Sequence, residues 1–373
     1  MSSQQPSRRE FFHPKTASRA IHDTPLERPV SAEPLVSATD DQQIVQQRAE
    51  SYVFHVSRSA MACEFEVILN AGIESQYAES ALEALDLVGR LESQLTVYRD
   101  NSEIMAINRR AFSASIPVEP RLFALLRKAI ELYHFTDGAF DITAGPLSKV
   151  WGFHRREGKI PEPADLQAAL MKVGSRWLEL DETTSQIRFL REGIEINLGG
   201  IGKGYALDRC AEELTAMGLG NYLLHGGQSS ILARGNRAGI EKQARQGWSI
   251  GLRHPIWQGK RLAEIFLHDR ALGTSGTGRQ GFFHQGRRYG HIIDPRNGIP
   301  ADGVLSSTVL APTAAEADAL ATAFYVLGPE PSLALCKKRP DISMIMVTSG
   351  LRQGTIEVHT ANLADEEWCR LDD

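Results

Sequence analysis

Apolar residues recur at every third or fourth position over several stretches of this 373-residue chain. In the segment 75–95, Leu82, Leu85, Val88 and Leu91 follow this spacing, which places them on one face of a helix. The same periodicity, in some cases ended by a glycine, predicts further helices. These predicted helices span residues 101–108, 120–136, 165–173, 205–217 and 314–327.

Short apolar runs bounded by turn residues predict β-strands. Residues 52–69 alternate in polarity and indicate one or two strands, followed by a turn at 70–72. Further predicted strands are 177–180, 187–190, 194–198, 222–225, 248–253, 263–267, 343–347 and 355–359. Because helices and strands are mixed without strict strand–helix–strand alternation, the pattern favours an α+β fold over a doubly wound sheet.

The first 50 residues differ from the rest of the chain. They carry five prolines among Ser, Gln and Arg and have no sustained apolar period. Such a segment cannot bury enough apolar surface to offset its ordering entropy, so we predict a flexible tail over residues 1–50. The predicted globular domain covers residues 51–360, and residues 361–373 form a C-terminal tail.

Composition and charge narrow the class of protein. Hydrophobic residues make up 42% and charged residues 23% of the chain, which is typical of a globular protein. The net charge of −5 and the absence of a basic stripe argue against nucleic-acid binding. The first ten residues are polar, and no apolar run is long enough to span a membrane. The cytoplasm is therefore the default location, with a periplasmic or membrane-associated one left open.

Five compact clusters combine small residues with one or two polar ones, and they span residues 137–143, 197–208, 225–227, 274–276 and 316–322. Glycines within such clusters let the backbone approach a ligand closely and present N–H groups to it. A helix that begins directly after a glycine-rich loop adds a favourable field for phosphate. Clusters of this kind predict a binding site rather than a structural role alone.

The cluster 197–208 fits a phosphate or pyrophosphate site best, because a predicted strand ends at Leu198 and a helix begins near Lys203 or Gly204. Its glycines match neither GxxxxGK[ST] nor GxGxxG in full. On the residues alone, Lys203 is either a phosphate ligand or a solvated surface lysine.

Asp318 and Thr322 lie four residues apart in a predicted helix, so their side-chain oxygens share one face. A carboxylate and a hydroxyl of this kind suit Mg²⁺ better than zinc, with main-chain and substrate phosphate oxygens completing the shell. The alternative is structural: Asp318 caps the helix and Thr322 bonds back to a carbonyl group.

Two further residues have both a chemical and a structural interpretation. His291 begins the sequence HIIDP, which reads as a strand end running into a turn, and it is either a general base or a structural histidine. Tyr98 follows a predicted helix within a short polar linker, where it either stacks on a flat ring system or packs against the protein.

Together these clusters resemble the ApbE family of FAD:protein FMN transferases. The resemblance covers about residues 52–350 and rests on short motifs in the family's order. These motifs are GAFDIT, GPLxxxWGF, GGIxKGYxxD, GG, TSG, HIIDPxxG and ADALATA. The resemblance implies an ApbE-like, T-fold-like arrangement of mixed sheets packed with helices, and an FAD cleft between two lobes.

The resemblance also implies an activity. Members of the family transfer FMN from FAD to a Ser or Thr hydroxyl of an acceptor protein through a phosphoester bond, release AMP and depend on Mg²⁺. FAD is therefore the expected substrate, Mg²⁺ the expected cofactor, and a protein with a flavinylation site the expected partner. Rival hypotheses are an FAD pyrophosphatase that yields FMN and AMP, a non-catalytic FAD-binding protein and, more distantly, a redox flavoprotein.

Site residues follow from the resemblance position by position. The implied catalytic residues are His291, Lys203 and Asp318. The positions implied to contact or shape the FAD site are Met61, Tyr98, Ala139, Phe140, Asp141, Asn197, Lys203, Asp208, Gly226, Gly227 and Ile292. The positions implied to hold the metal are Gly200, Asp318, Ala321 and Thr322, where Gly200 and Ala321 can offer only main-chain carbonyl groups.

The sequence departs from the family pattern at three places. Asn197 stands where an aspartate is usual, which removes a charge from the FAD site. The residues Met61, Ala62 and Cys63 stand where Met-Gly-Thr is common, and Thr277 follows TSG where an aromatic residue often occurs nearby. These departures bear on substrate preference and rate more than on the fold.

Overall fold

A computed structural model describes residues 52–238, 245–277, 281–352 and 354–371. The predicted N-terminal tail, residues 1–50, lies outside this range and stays a prediction. The described strands are β1 Val53–Ala60, β2 Cys63–Asn70, β3 Ile116–Pro117, β4 Leu178–Asp181, β5 Gln186–Phe189, β6 Tyr222–Gly226, β7 Ser230–Arg234, β8 Trp248–Arg253, β9 Arg261–Leu267, β10 Ala271–Gly276, β11 Gly281–His284, β12 Arg287–Gly290, β13 Val304–Ala311, β14 Ser343–Ser349, β15 Ile356–Ala361 and β16 Trp368–Arg370.

Six of the eight described α-helices precede β6, and the other two lie between β13 and β14. They are α1 Ala78–Leu95, α2 Glu103–Arg110, α3 Pro120–Phe135, α4 Gly145–Val150, α5 Pro163–Leu170, α6 Gly202–Ala216, α7 Ala314–Leu327 and α8 Pro329–Lys338. Short 3₁₀ helices occur at Ile73–Tyr77, Phe153–Arg155 and Ser175–Trp177. None of the described helices is long and apolar enough to cross a lipid bilayer.

An eight-stranded antiparallel sheet in the order β1-β2-β6-β7-β10-β13-β14-β15 forms the centre of the fold. Alternate residues of its strands point to opposite faces, and both faces are covered. On one face Phe65, Val67 and Leu224 pack with α1, α6 and α7. On the other, Leu223 and Ile345 pack with a smaller sheet of order β16-β9-β8. The predicted α+β class is confirmed.

Helix α7 lies at the centre of the helical layer. Its residues are buried on almost every side, as a helix built largely from alanine and apolar residues requires. It begins at Thr313, whose side chain accepts a hydrogen bond from the Glu316 N–H (3.3 Å), and it ends before Gly328. The predicted bounds of 314–327 are confirmed. Because α7 carries Asp318 and Thr322, its placement decides the geometry of the site.

The strand predicted over residues 194–198 is wrong, since this segment is neither strand nor helix. Its backbone bonds to other partners: the Ile196 N–H donates to Asn108 Oδ1 (2.8 Å), and the Asn108 amide donates to the Ile196 carbonyl (3.0 Å). The Asn197 N–H donates to the Ile142 carbonyl (2.7 Å). A side chain distant in the sequence thus takes the place of a neighbouring strand.

The chain end contributes to the smaller sheet. Strand β16 (Trp368–Arg370) pairs with β9 along the edge of that sheet, with Trp368 opposite Ile265. Its residues lie within the segment assigned from the sequence to a C-terminal tail, so at least this part of the segment belongs to a sheet.

Candidate active site

Four of the five clusters of small and polar residues, far apart in the sequence, meet in one cleft; the cluster 225–227 does not contribute to its described lining. The cleft has a volume of about 470 Å³, within the range of ligand-binding pockets. Helix α6 contributes Lys203 from its first turn, and α7 contributes Asp318 and Thr322 from beyond its first turn. Its lining residues are Ala139, Phe140, Asp141, Ile142, Ala144, Gly145, Ser148, Asn197, Gly199, Gly200, Lys203, Ser229, Thr274, Ser275, Gly276, His291, Ile292, Ile293, Pro295, Asp318 and Thr322.

Two smaller cavities adjoin this cleft. One of about 240 Å³ shares Asn197, Gly199 and Lys203 with it and reaches Met61 and Tyr98. The other, of about 250 Å³, is also lined by Tyr98 and Asn197. The continuous lining can therefore accommodate an extended ligand that reaches from Tyr98 to Asp318.

Asp318 is the most deeply placed acid of the cleft, with only 7% of its surface exposed. Its Oδ2 accepts hydrogen bonds from the Gly204 N–H and from Ser230 Oγ, both at 2.8 Å. Burial raises the pKa of this carboxyl, although Lys203, whose Nζ lies 3.9 Å from Oδ2, acts in the opposite direction. The carboxylate is thus held in place by the protein, and a nearby cation favours its ionised form.

Thr322 and Ser275 place two hydroxyl groups next to Asp318. Thr322 Oγ1 lies 3.1 Å from Ser275 Oγ and donates to the Asp318 carbonyl group at 3.2 Å. Gly200 approaches the same hydroxyl, because a Cβ added at this glycine would lie 3.9 Å from Thr322 Oγ1. Of the four residues implied to hold a metal, Gly200, Asp318 and Thr322 therefore come together. Ala321, fully buried in α7, is not among the described residues that line the cleft.

These donors fit a hard divalent cation in part. Within the described residues, no three His, Cys, Asp or Glu side chains form a group that could hold a metal by themselves. One carboxylate and two hydroxyl groups beside this cleft nevertheless match Mg²⁺, which commonly binds through one or two carboxylates together with substrate phosphates. In a site with these donors, phosphate oxygens of a bound ligand would supply the remaining Mg²⁺ ligands.

The structural interpretation holds for Thr322 but not for Asp318. Thr322 does bond back to a carbonyl, as the structural interpretation holds. Asp318 does not cap its own helix, which Thr313 does, but binds the N–H of Gly204 in the first turn of α6. Gly204 is required there, because an added Cβ would lie 2.0 Å from the Ala314 carbonyl oxygen.

Asp208 lies away from the described lining of the cleft. Its two carboxylate oxygens accept hydrogen bonds from the N–H groups of Ala314 (2.7 Å) and Ala315 (2.9 Å), the first residues of α7. Burial raises its pKa to about 7, and the negative charge of Asp318 adds to that rise. The carboxylate therefore serves a helix start instead of pointing at a ligand in the cleft.

The loop before α6 is held by Asn197. The Asn197 Oδ1 accepts a hydrogen bond from the Gly199 N–H (2.9 Å). The Gly199 N–H is therefore directed at the Asn197 side chain and not at the cleft. The neutral Asn197 side chain, at the position where the family resemblance led us to expect an aspartate, thus shapes the turn at Gly199. Lys203 follows in the first turn of α6, and its Nζ lies 3.9 Å from Asp318 Oδ2.

Asp141 has a structural set of partners although it lines the cleft. Its carboxylate accepts hydrogen bonds from the Thr143 backbone and side chain (2.8 and 2.7 Å) and from the Ser175 side chain (2.6 Å). This network fixes the segment that carries Ala139 and Phe140, both buried in the cleft wall. Asp141 therefore orders this wall.

His291 and Ile292 enter the cleft from a loop that follows β12. The loop is closed by Asp294, whose carboxylate accepts two hydrogen bonds from the Arg296 guanidinium at 2.8 Å each. The Trp151 indole N–H also donates to the Gly298 carbonyl group (2.8 Å). His291 is thus presented to the cleft from a fixed turn.

The opposite end of the site carries an exposed aromatic side chain. Tyr98 is 77% exposed, and Met61 lies beside it in the turn between β1 and β2. Both turn residues, Met61 and Ala62, have positive φ angles (48° and 59°). The Gly227 N–H bonds to the Glu64 carbonyl (2.9 Å) next to this hairpin, so the Gly226–Gly227 pair supports it.

Sequence reasoning missed two hydroxyl residues, Ser230 and Ser275. Ser230 follows the Gly226–Gly227 pair and begins β7, and it donates to Asp318. The only signal for it was a polar residue at the start of a strand that is otherwise apolar. Ser275 belongs to the recognised TSG cluster, where its proximity to Thr322 depends on the pairing of distant elements.

The model of the family described as ApbE matches residues 61–346. The chain belongs to the ApbE family. The predicted family resemblance is therefore confirmed, and the cleft lies within the matched residues.

Relatives and solved structures of the ApbE family agree with this assignment. The FAD:protein FMN transferase of Treponema pallidum is 34% identical over 275 residues, which cover 71% of this chain and 76% of the relative. That of Klebsiella pneumoniae is 33% identical, covering 72% and 82%. The ApbE protein of Thermotoga maritima superimposes with a TM-score of 0.71 at 26% identity, covering 83% of this chain and 97% of the other. The flavinyl transferase ApbE of Pseudomonas stutzeri gives 0.71 at 27% identity, covering 83% and 94%.

Proposed function

We propose that this protein transfers FMN from FAD to a Ser or Thr hydroxyl of an acceptor protein, releases AMP and depends on Mg²⁺. The observation that carries the proposal is the single cleft in which Asp318, Lys203 and His291 meet. The names of the relatives, FAD:protein FMN transferases, support the reaction class and FAD as the substrate.

Asp318 and Thr322 are the side chains that would hold Mg²⁺, with main-chain oxygens of Gly200 and Ala321 as further candidates. When bound, Mg²⁺ neutralises pyrophosphate charge and stabilises the charge that develops in phosphoryl transfer. Ser230 and the Gly204 N–H fix the Asp318 carboxylate for this role. The compartment in which the protein acts stays a prediction.

Lys203 would bind a pyrophosphate oxygen. It lies in the first turn of α6, where the field of the helix also favours an anion. A fixed cation and an oriented helix start provide stabilisation without rearrangement during the reaction. Tyr98, at the far end of the site, would stack on the isoalloxazine ring, since its aromatic face is exposed.

His291 would act as the general base. The hydroxyl oxygen of the acceptor attacks the phosphorus atom on the FMN side of the pyrophosphate, and the hydroxyl proton passes to the imidazole, which can accept a proton at neutral pH. A new phosphoester bond forms while the bond from phosphorus to the bridging oxygen breaks. AMP leaves with that oxygen, so atoms and charges balance.

Co-expression with a flavin-accepting domain tests the proposal, with the intact mass of the acceptor as the measurement. We expect the parent protein to add one FMN moiety to the acceptor in the presence of Mg²⁺. His291→Ala should lower the rate of transfer by roughly 100-fold or more, since general-base catalysis contributes that much, and should leave the affinity for FAD within about twofold.

The outcomes separate the alternatives. Release of FMN and AMP without a mass gain would identify an FAD pyrophosphatase. FAD binding without any AMP release would identify a non-catalytic flavin-binding protein. Transfer by His291→Ala at the parent rate would remove His291 from the role of base while leaving the transferase reaction intact.

A further inference from the structure

Helices α6 and α7 hold each other's first turns through two carboxylates. Asp208 of α6 accepts hydrogen bonds from the N–H groups of Ala314 and Ala315, the first two residues of α7. Asp318 of α7 accepts a hydrogen bond from the N–H of Gly204, the third residue of α6. The first N–H groups of a helix have no partner inside it, so each carboxylate satisfies donors of the other helix.

The two helices also touch without intervening side chains. A Cβ added at Gly204 would lie 2.0 Å from the Ala314 carbonyl oxygen, and one added at Gly273 of β10 would lie 2.5 Å from the Ala317 carbonyl group. Helix α7 is thus confined between α6 and the central sheet. Since Asp318 follows Ala315 by less than one turn, a shift at the start of α7 moves the Asp318 carboxylate with it.

We propose that Asp208 is a positioning residue for the metal site: by binding the start of α7, it fixes Asp318 and Thr322 relative to Lys203 and so sets the affinity for Mg²⁺. This inference rests on the proposed function. It changes the role implied for Asp208 by the family resemblance, because the carboxylate acts through α7 and not by touching FAD. A purely structural cap would stabilise the fold and leave metal affinity unchanged.

The decisive variant is Asp208→Asn. The amide keeps one acceptor oxygen but presents an NH₂ group where the second N–H needs an acceptor. We expect the Mg²⁺ concentration for half-maximal FMN transfer to rise roughly 10-fold, a typical effect for residues that support metal ligands. FAD affinity measured with a chelator in place of Mg²⁺ should stay within about twofold.

A second readout does not depend on transfer. In the presence of FAD, Mg²⁺ should raise the melting temperature of the parent protein, because a ligand that binds the folded state stabilises it by an amount that grows with the logarithm of its concentration relative to the dissociation constant. The Mg²⁺ concentration needed for that rise should be roughly 10-fold higher for Asp208→Asn.

Glu119→Gln provides the matched control. Glu119 Oε2 also accepts hydrogen bonds from two N–H groups at a helix start, those of Arg121 (3.1 Å) and Leu122 (2.9 Å) of α3, outside the described lining of the cleft. Loss of this carboxylate should lower the melting temperature by an amount typical of a lost cap and leave both Mg²⁺ measurements at the parent values.

Parent-like Mg²⁺ dependence of Asp208→Asn, together with a lowered melting temperature, would overturn the inference. Should Asp208→Asn not fold, Asp208→Glu is the deciding variant, because it keeps the charge but carries it one methylene further from the backbone. A higher Mg²⁺ concentration for half-maximal transfer in Asp208→Glu supports the inference. An unchanged Mg²⁺ concentration overturns it. A parent protein that shows the Mg²⁺-dependent melting shift but no transfer would contradict the proposed function alone. A parent without either response would contradict both.

Discussion

The two ends of the cleft are built in opposite ways. At the end proposed to bind the pyrophosphate, here called the phosphate end, Asp318 is 7% exposed and its Oδ2 accepts hydrogen bonds from Ser230 and Gly204. At the other end, Tyr98 is 77% exposed, and its neighbour Met61 occupies a two-residue turn with positive φ angles. One end is fixed by buried hydrogen bonds, whereas the other offers an open aromatic surface.

The proposed function gives a reason for this difference, because the two ends would recognise different parts of FAD. Stabilising charge in a transition state needs donors and cations that stay in place, because reorienting them during the reaction would cost free energy. Stacking on a flat ring tolerates small displacements and needs an exposed face. We therefore expect substitutions at the phosphate end to affect turnover and metal dependence, and those at the Tyr98 end to affect FAD affinity.

Asp318→Ala should have the largest effect. It removes the one carboxylate that α7 presents to the cleft, so turnover should fall roughly 100-fold or more and Mg²⁺ should no longer stimulate the remaining activity. The measurement is the rate of FMN transfer over a range of Mg²⁺ concentrations. Normal stimulation by Mg²⁺ in this variant would remove Asp318 from the metal site.

Glu316→Gln is the control for this prediction. Glu316 is a buried acid of the same helix that pairs with Arg339 (3.1 Å) and does not line the described cleft. Its replacement should lower the free energy of unfolding, because the buried carboxylate that pairs with the Arg339 guanidinium is lost, while the response to Mg²⁺ stays at the parent level.

Tyr98→Ala should have an intermediate effect at the other end of the cleft. Loss of a stacked ring costs about 0.5–1.5 kcal/mol, so the dissociation constant for FAD should rise about 2- to 12-fold while the Mg²⁺ concentration for half-maximal transfer stays unchanged. Fluorescence quenching of the flavin measures the affinity, and Tyr98→Phe should restore it. If FAD bound to Tyr98→Ala as tightly as to the parent, the ring would not contact the flavin.

The contrast also explains which features could be predicted from the sequence. Helix α7 was predicted with its correct bounds, because the run of alanine and apolar residues that defines it is a local signal. The cap Thr313 and the following Gly328, which the structure shows at its two ends, are local to it as well. The segment 194–198 was assigned wrongly, because its hydrogen-bond partner Asn108 lies almost 90 residues earlier, and no periodicity reveals such a partner.

The same distinction applies to the site. Motif resemblance brought Lys203, His291 and Asp318 forward as candidates, and the structure places all three in one cleft. The contacts that fix Asp318, from Ser230 and Gly204, depend on how β7, α6 and α7 pack, so residue spacing alone could not show them. Asp208 likewise reads as a cleft residue in the motif, but packing turns it towards the start of α7.

Ala62→Gly should have the smallest effect, at the Tyr98 end, and it has the opposite sign. The φ angle of Ala62 is 59°, a left-handed conformation that glycine adopts readily and alanine does not. We expect the free energy of unfolding to increase by about 0.5–1 kcal/mol, since relief of this strain exceeds the added entropy of the unfolded chain. Chemical denaturation measures the change.

Ala168→Gly, at an exposed position within α5, is the control, and its free energy of unfolding should decrease by about 1 kcal/mol. A decrease in the free energy of unfolding of Ala62→Gly as well would show that the β1–β2 turn is not strained. The contrast between the phosphate end and the Tyr98 end would then rest on the exposure of Tyr98 alone.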